Sequence, residues 1–169
     1  MRRFISIAIS LCALLGLSGC GIYSFSGTSI KPDVKTIYIE PIVNNALKIN
    51  PTLANDLTEA LHDKYKALTK LKEADEENAD LLLSGEITSY DIKATAITAN
   101  ETAAKNRLTI TVKIDFQNVK YPEENVKKDF VGYGDYDSSQ SFDSVEATLC
   151  DEIVKTIVED IFNATVAQW

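Results

Sequence analysis

The sequence is poor in the residues on which most catalytic sites depend, with one histidine, three cysteines and seven glycines among 169 residues. A histidine-based nucleophilic site would have to be assembled around His62, and no nucleophile-elbow spacing accompanies that residue. The few glycines form no loop of the kind that cradles phosphates. We therefore predict that the chain is not an enzyme and has no catalytic residues, with chemistry at His62 as the alternative.

The scarcity of cysteine also argues against a disulfide scaffold and against a cysteine-rich zinc site. Cys150 lies at the edge of an apolar helical stripe, which predicts a packed thiol rather than a nucleophile. Asp129, Asp135, Asp137 and Asp143 are near one another in sequence but lack the spacing of a calcium-binding loop. We expect no metal site and no cofactor.

The sequence has fewer basic than acidic side chains. The chain has 17 basic and 25 acidic side chains, for a net charge of −8. Nucleic-acid binding depends on neutralising phosphates with lysine and arginine, so a nucleic-acid partner is not expected. The exception is a local basic patch at Lys64, Lys66, Lys70 and Lys72, followed at once by an acidic run. Such runs are commonly solvated faces; the alternative is a site for an anionic partner such as a lipid phosphate.

The N-terminus carries an export pattern. Arg2 and Arg3 precede an apolar run of about 14 residues, which ends in small residues before Cys20. A spanning helix needs roughly 20 apolar residues, so the run is too short for a transmembrane anchor. Its end resembles the lipobox of bacterial lipoproteins, in which the cysteine receives lipid and becomes the first mature residue. A transmembrane anchor and an unmodified Cys20 are the alternatives.

This pattern predicts the domain organisation. Residues 1–19 are a lipoprotein signal peptide, residues 20–32 a lipidated tether, and residues 33–169 a single domain. Cleavage removes two arginines and no acidic residue, leaving 15 basic against 25 acidic side chains, or a mature net charge of −10. The remaining 150 residues are enough to bury a core without disulfides. The only cofactor-like group predicted is the covalent lipid on Cys20.

Hydrophobic periodicity predicts two helices and four strands. Residues 108–116 alternate strictly between apolar and polar, as in a strand with one wet face. Residues 81–96 change phase, which predicts a bulge near Thr88 and Ser89. The other predictions are strands at 34–43 and 129–137, a turn at 121–128, a helix from Asn50-Pro51 to about 71, and a helix from near Asp143 with Glu146 in a capping box.

The order β-α-β-β-β-α predicts an α+β fold. We expect a two-layer α/β sandwich, with two helices packed on one face of a four-stranded mixed sheet. The connection through the first helix is the only one that can give a parallel strand pair.

Several segments are similar to one known family. Residues 19–27 (GCGIYSFSG), 50–53 (NPTL), 83–87 (LSGEI), 106–112 (NRLTITV) and 135–140 (DYDSSQ) resemble a divergent branch of the lipopolysaccharide-assembly lipoproteins, the LptE family. The resemblance implies an outer-membrane lipoprotein on the periplasmic side, held by the lipid on Cys20. It also implies a plug inside the lipopolysaccharide-assembly β-barrel, LptD, that supports lipopolysaccharide transport and insertion. Gly21, which is not an aspartate, agrees with sorting to the outer membrane.

The resemblance also implies lipopolysaccharide contacts through basic loop residues. The candidate contacts to lipopolysaccharide or to the barrel are Lys105, Arg107, Lys120, Lys127 and Lys128, which the sequence places in the loops on either side of the third strand. The alternative for these residues is that they are ordinary surface cations. The alternative for the whole protein is a periplasmic regulator or accessory module of a cell-wall synthase or a transporter.

Overall fold

The computed structural model describes residues 29–48, 50–95 and 105–167. The predicted signal peptide, the lipidated Cys20 and the tether up to residue 28 lie outside the described residues, and those predictions stay untested.

One mixed sheet and two helices make up the fold, which confirms the predicted α+β sandwich. The four long or central strands are β1 (Thr36–Ile39), β4 (Leu81–Ala94), β5 (Lys105–Asn118) and β6 (Val126–Asp137). Two short strands complete the sheet, β2 (Val43–Asn44) and β3 (Lys72–Glu73). The spatial order is β3-β1-β4-β5-β6, with β2 also paired to β4. Strand β1 runs parallel to β4, as predicted for the crossover through the first helix, and β4, β5 and β6 are antiparallel neighbours.

The sheet has six strands rather than the four predicted. The predicted first strand is divided into β1 and the two-residue β2 (Val43–Asn44). Pro41 falls at the break, and proline has no N–H to give to a strand ladder. The other addition is β3 (Lys72–Glu73), which pairs in parallel with β1 at the edge of the sheet. Both additions are only two residues long, too short for any periodic signal.

Helix α1 (Leu53–Leu68) packs through the predicted apolar stripe of Leu53, Leu57, Leu61 and Tyr65. It begins at Leu53, with Thr52 in the N-cap position, so the predicted start at Asn50-Pro51 is too early. Asn50 lies just before the helix, and its Oδ1 accepts the backbone N–H groups of Thr52 and Leu53 at 3.1 Å each. The helix ends three residues before the predicted end, since the backbone is already extended at Thr69 and leads into β3.

Helix α2 (Phe142–Thr165) lies beside α1 and covers β5 and β6. The predicted capping box is wrong, because no side chain caps the helix at Ser141. Glu146 turns instead into the interior, where its Oε1 accepts hydrogen bonds from the Tyr90 hydroxyl (2.6 Å) and the Asn50 amide (3.0 Å). A carboxylate that serves as an acceptor for two other elements is not available to the start of its own helix.

The predicted bulge in β4 is confirmed. The register between β4 and β5 shifts between Ile87 and Ser89, so Thr88 is an extra residue. Before the bulge the buried side chains are Leu81, Leu83 and Ile87; after it, Tyr90 takes the same face. The shift therefore keeps both halves of the strand apolar toward the helices.

Helix α2 packs closely against Gly132 in β6. A Cβ atom built on Gly132 would lie 2.7 Å from Ile153 Cγ2 and 2.9 Å from Ile157 Cγ1. Both neighbours are β-branched side chains with few rotamers available in a helix. The absence of a side chain at Gly132 therefore sets the distance between this helix and the sheet.

We expect Gly132→Val to destabilise the protein by about 1–3 kcal/mol, because the added carbons would overpack the contact with Ile153 and Ile157. Urea unfolding followed by circular dichroism measures the change. Val131→Ile is the matched control, since Val131 points to the opposite face and is 52% exposed. Equal stability of the two variants would contradict the proposed close contact.

Candidate functional site

The sheet face opposite the helices is an extended polar surface formed by three strands. We call it the open face. Its side chains alternate with the buried ones along each strand, so their positions follow from the register of β4, β5 and β6. They are Ser84, Glu86, Ser89, Asp91 and Lys93 on β4, Arg107, Thr109, Thr111, Lys113 and Asp115 on β5, and Lys127, Asp129, Val131, Tyr133 and Asp135 on β6.

Charges on the open face are paired across strands. Lys113 Nζ lies 3.2 Å from Glu86 Oε1, and Lys127 Nζ lies 2.6 Å from Asp115 Oδ2. Hydrogen bonds from Asn45 and Lys113 lower the pKa of Glu86, and a hydrogen bond from Lys127 lowers the pKa of Asp115. These exposed pairs contribute little to stability. The residues of the open face include five acidic and four basic side chains, so the surface is polar and nearly neutral.

At one end of the open face, the guanidinium of Arg107 stacks on the ring of Tyr133. The Arg107 guanidinium donates to both carboxylate oxygens of Asp135, at 2.6 and 2.9 Å, and lies 4.0 Å from the centroid of the Tyr133 ring. The hydrogen bond from Arg107 lowers the pKa of Asp135. Tyr133 is 60% exposed and Val131 beside it is 52% exposed. Exposed tyrosine and arginine side chains held in fixed positions are typical of protein contact sites.

The five basic residues singled out in the sequence divide into two groups. Lys105 and Arg107 lie at the start of β5, whereas Lys120, Lys127 and Lys128 lie near the opposite end of the same strand. Arg107 and the Lys127 partner Asp115 are eight residues apart along β5, which is roughly 26 Å at about 3.3 Å per residue. The two groups are too far apart to hold one phosphate.

Most of these basic residues also have partners within the chain. Lys120 Nζ lies 2.8 Å from Asp80 Oδ1, and Lys128 Nζ lies 4.6 Å from the centroid of the Phe130 ring on the helix side of the sheet. The sequence placed them in loops, but four of them are in strands. Lys105 and Arg107 belong to β5, which begins three residues earlier than predicted. Lys127 and Lys128 belong to β6, because the hairpin after β5 is tighter than predicted and contains a 3₁₀ turn at Pro122–Glu124. Their contact with lipopolysaccharide or a barrel stays a prediction.

Asp80 joins the N-terminal part of the chain to this end of the sheet. Its Oδ2 accepts the backbone N–H groups of Lys35 (2.7 Å) and Thr36 (3.2 Å). Partial burial raises the pKa of Asp80, but hydrogen bonds from Lys120, Lys35 and Thr36 outweigh it, and the net pKa is lowered.

Cys150 and His62 are two side chains that the sequence offers for nucleophilic or acid–base catalysis. Cys150 is buried, which confirms the packed thiol, and burial raises its pKa. Its Sγ lies 3.7 Å from the Tyr90 hydroxyl, beside Glu146. His62 Nδ1 lies 3.0 Å from Glu73 Oε1, and no serine, threonine or cysteine lines the cavity beside it in the described part of the chain. No group of three metal-ligating side chains is present in the described ranges.

Comparison with known proteins decides the family. The model of the LptE family, described as lipopolysaccharide-assembly, matches residues 34–165. The chain belongs to the LptE family. The LptE match covers both helices and all six strands. No curated protein sequence shows significant similarity to the chain.

One of the similar solved structures supports the fold. A Helicobacter pylori protein, described as homologous to the neuraminyllactose-binding hemagglutinin, superposes with a TM-score of 0.52 at 11% identity, covering 82% of this chain and 87% of that one. A minor lipoprotein from Acinetobacter baumannii has a TM-score of 0.48 at 14% identity, covering 79% of this chain and 96% of that one. Among the described residues of this LptE-family chain, no helix is both long and apolar enough to cross a membrane.

We expect the stability lost in Asp80→Asn to depend on pH. The folded-state pKa of Asp80 is lowered, so its carboxylate stabilises the fold above the unfolded value near 3.9 and stops doing so as the pH falls through the folded value. The variant should be about 1 kcal/mol less stable at pH 7, and the difference should shrink below about pH 4. Urea unfolding at several pH values measures this, with Asp129→Asn on the open face as the control. If the variant lost the same free energy of unfolding at pH 3 and at pH 7, the ionised Asp80 carboxylate would not be the source of the stabilisation.

Proposed function

We propose that this LptE-family chain is an outer-membrane lipoprotein, anchored by lipid on Cys20, that assembles with an LptD-like β-barrel and occupies its lumen. In that position it supports lipopolysaccharide transport to the outer membrane and insertion there. The observation that carries the proposal is the family match over residues 34–165.

The open face supports the plug role on physical grounds. The interior of a large outer-membrane barrel is polar and wet. A plug therefore needs a polar surface whose charges are already compensated, since bringing uncompensated charges against a protein wall is costly. The paired charges of the open face meet that requirement, and Tyr133, Val131 and Arg107 add a compact contact area.

The role needs no reacting group. It needs a rigid domain with a defined contact surface, close to the membrane. The buried contacts between α1, α2 and the sheet supply the rigidity: Tyr65 of α1 packs edge-on against Phe162 of α2, with ring centroids 5.3 Å apart, and the Tyr65 hydroxyl lies 2.5 Å from Thr165 Oγ1.

Detergent extraction of the tagged protein from its own membranes should co-purify a large β-barrel in near-equal amounts. The double variant Val131→Glu/Tyr133→Ala should recover roughly tenfold less barrel, because it places a charge and a gap in the proposed contact area. Quantitative mass spectrometry of the eluate measures both.

The control for the contact variant is Lys155→Ala/Thr156→Ala, on the exposed side of α2. It should co-purify as much barrel as the unaltered protein. Recovery of the protein only as a monomer would refute the plug role, and recovery with an inner-membrane or cell-wall enzyme would favour the accessory-module alternative. Undiminished barrel recovery by the open-face variant would refute only the assignment of the contact face.

The lipid anchor has a separate test. Intact-mass measurement of the membrane form should show a chain that begins at Cys20 and carries acyl chains, because two or three chains are needed for stable anchoring. Cys20→Ser should lack the lipid mass, whereas Cys12→Ser, in the predicted signal peptide, should keep it. An unmodified Cys20 in the membrane form would contradict the anchor.

A further inference from the structure

A groove lies where the N-terminal part of the described chain meets the end of α1. It has a volume of about 620 Å³ and runs between residues 30–35 and residues 67–71. Its apolar lining includes Ile30, Val34, Leu68 and Leu71, and Leu68 is 49% exposed. Lys35 and Lys70 also line it, so the groove combines an apolar floor with basic side chains.

Four lysines in or beside this groove differ from those on the open face in having no acidic partner among the described residues. Lys35, Lys66, Lys70 and Lys72 are all exposed, and none makes an ion pair within the described ranges of the chain. Lys35 and Lys72 are backbone neighbours, since the Lys72 N–H donates to the Lys35 carbonyl at 2.9 Å. Lys66 and Lys72 line an adjoining cavity of about 300 Å³ that shares Leu71 with the groove.

Three acidic side chains near the groove are already engaged, whereas Asp75, Glu76 and Glu77 follow Lys72 closely along the chain. Glu73, in the adjoining cavity, lies 3.0 Å from His62 Nδ1. At the other end of the groove, Lys31 is held by Glu124 at 2.9 Å and Glu123 at 3.6 Å. The four unpaired lysines therefore keep their positive charge available in a protein whose net charge is −8.

The groove is also close to the start of the domain. The Ser29 N–H donates to the Val166 carbonyl at 2.8 Å, which fixes where the chain enters. Cys20 precedes Ser29 by nine residues, and a chain of that length spans at most about 30 Å when fully extended. A lipid on Cys20 would therefore keep this side of the domain within about 30 Å of the membrane that holds the lipid.

We propose that this basic and apolar groove docks on a membrane surface of anionic phospholipids. Lys35, Lys70 and Lys72 meet the lipid phosphates as compact point charges, and their long stems pack beside Leu68 and Leu71 at the edge of the bilayer. The proposal rests on the proposed function only for the lipid anchor at Cys20. Because the rest of the molecule is acidic, an anionic membrane would repel most other orientations.

The test uses the chain from residue 20 onward with Cys20→Ser, so that only the protein surface contributes to binding. Vesicles of phosphatidylcholine with one quarter phosphatidylglycerol are compared with vesicles of pure phosphatidylcholine by co-sedimentation. We expect binding to the anionic vesicles alone and its loss at high salt, because screening weakens attraction between exposed charges.

The variant Lys35→Gln/Lys70→Gln/Lys72→Gln should bind the anionic vesicles at least tenfold more weakly, since each lysine near such a surface is worth about fivefold in binding. The matched control is Lys105→Gln/Lys128→Gln/Lys155→Gln, which removes three lysines elsewhere that make no ion pair with another described residue, and which changes the net charge equally. It should retain most of the binding. Urea unfolding of both variants checks that the fold is unchanged.

A fluorescent probe locates the contact. In a Trp169→Phe background, Leu68→Trp should shift its emission to shorter wavelength on anionic vesicles, whereas Val131→Trp on the open face should not. Absence of binding to the anionic vesicles, or equal loss of binding in the two triple variants, would overturn the proposal. An unlipidated Cys20 in cells would refute the lipid anchor. It would not affect the vesicle experiment, which tests the groove with protein that carries no lipid.

Discussion

The architecture depends on one extra residue in β4. Without the bulge at Thr88, a strand of period two would turn Tyr90 and Ile92 away from the helices and bring Ser89 and Asp91 into the core. The bulge keeps a single apolar face along a 14-residue strand. It also aims the Tyr90 hydroxyl at Glu146, so that β4, Asn50 just before α1 and the start of α2 share one carboxylate. The polar open face is the other consequence of the same shift.

The bulge was predictable because it leaves a local signal, a change in the parity of apolar residues within one strand. The same holds for the alternation of β5, the apolar stripes of α1 and α2, and the packed Cys150. The role of Glu146 was not predictable. Its spacing from Asp143 fits a capping box, and only the tertiary position of Tyr90 and Asn50, which are 56 and 96 residues away, draws it inward. The short β2 and β3 depend in the same way on neighbours distant in sequence.

The charge pairs of the open face illustrate why the candidate site was harder to predict than the fold. Lys127 and Asp115 are 12 residues apart and Arg107 and Asp135 are 28 apart, so each pair exists only in one register of the β5–β6 hairpin. That register is set by the turn geometry between residues 119 and 125, including the 3₁₀ turn at Pro122–Glu124. Sequence inspection could identify the basic residues, but it could not say which of them were already neutralised.

The basic side chains are paired with carboxylates on the open face, whereas four lysines at the groove and its adjoining cavity are unpaired among the described residues, so the two surfaces suit different partners. On the open face, acceptors such as Asp115 and Asp135 hold the basic side chains at 2.6 Å, and a phosphate would have to displace a carboxylate to reach them. At the groove beside the N-terminal segment and its adjoining cavity, Lys35, Lys70 and Lys72 make no ion pair with any residue in the described ranges. In a molecule of net negative charge, attraction to a phosphate-bearing surface must come from such local excesses, since the average field is repulsive. One small domain can therefore present a compensated surface to a protein wall and an uncompensated one to a lipid surface, without the two competing for the same residues.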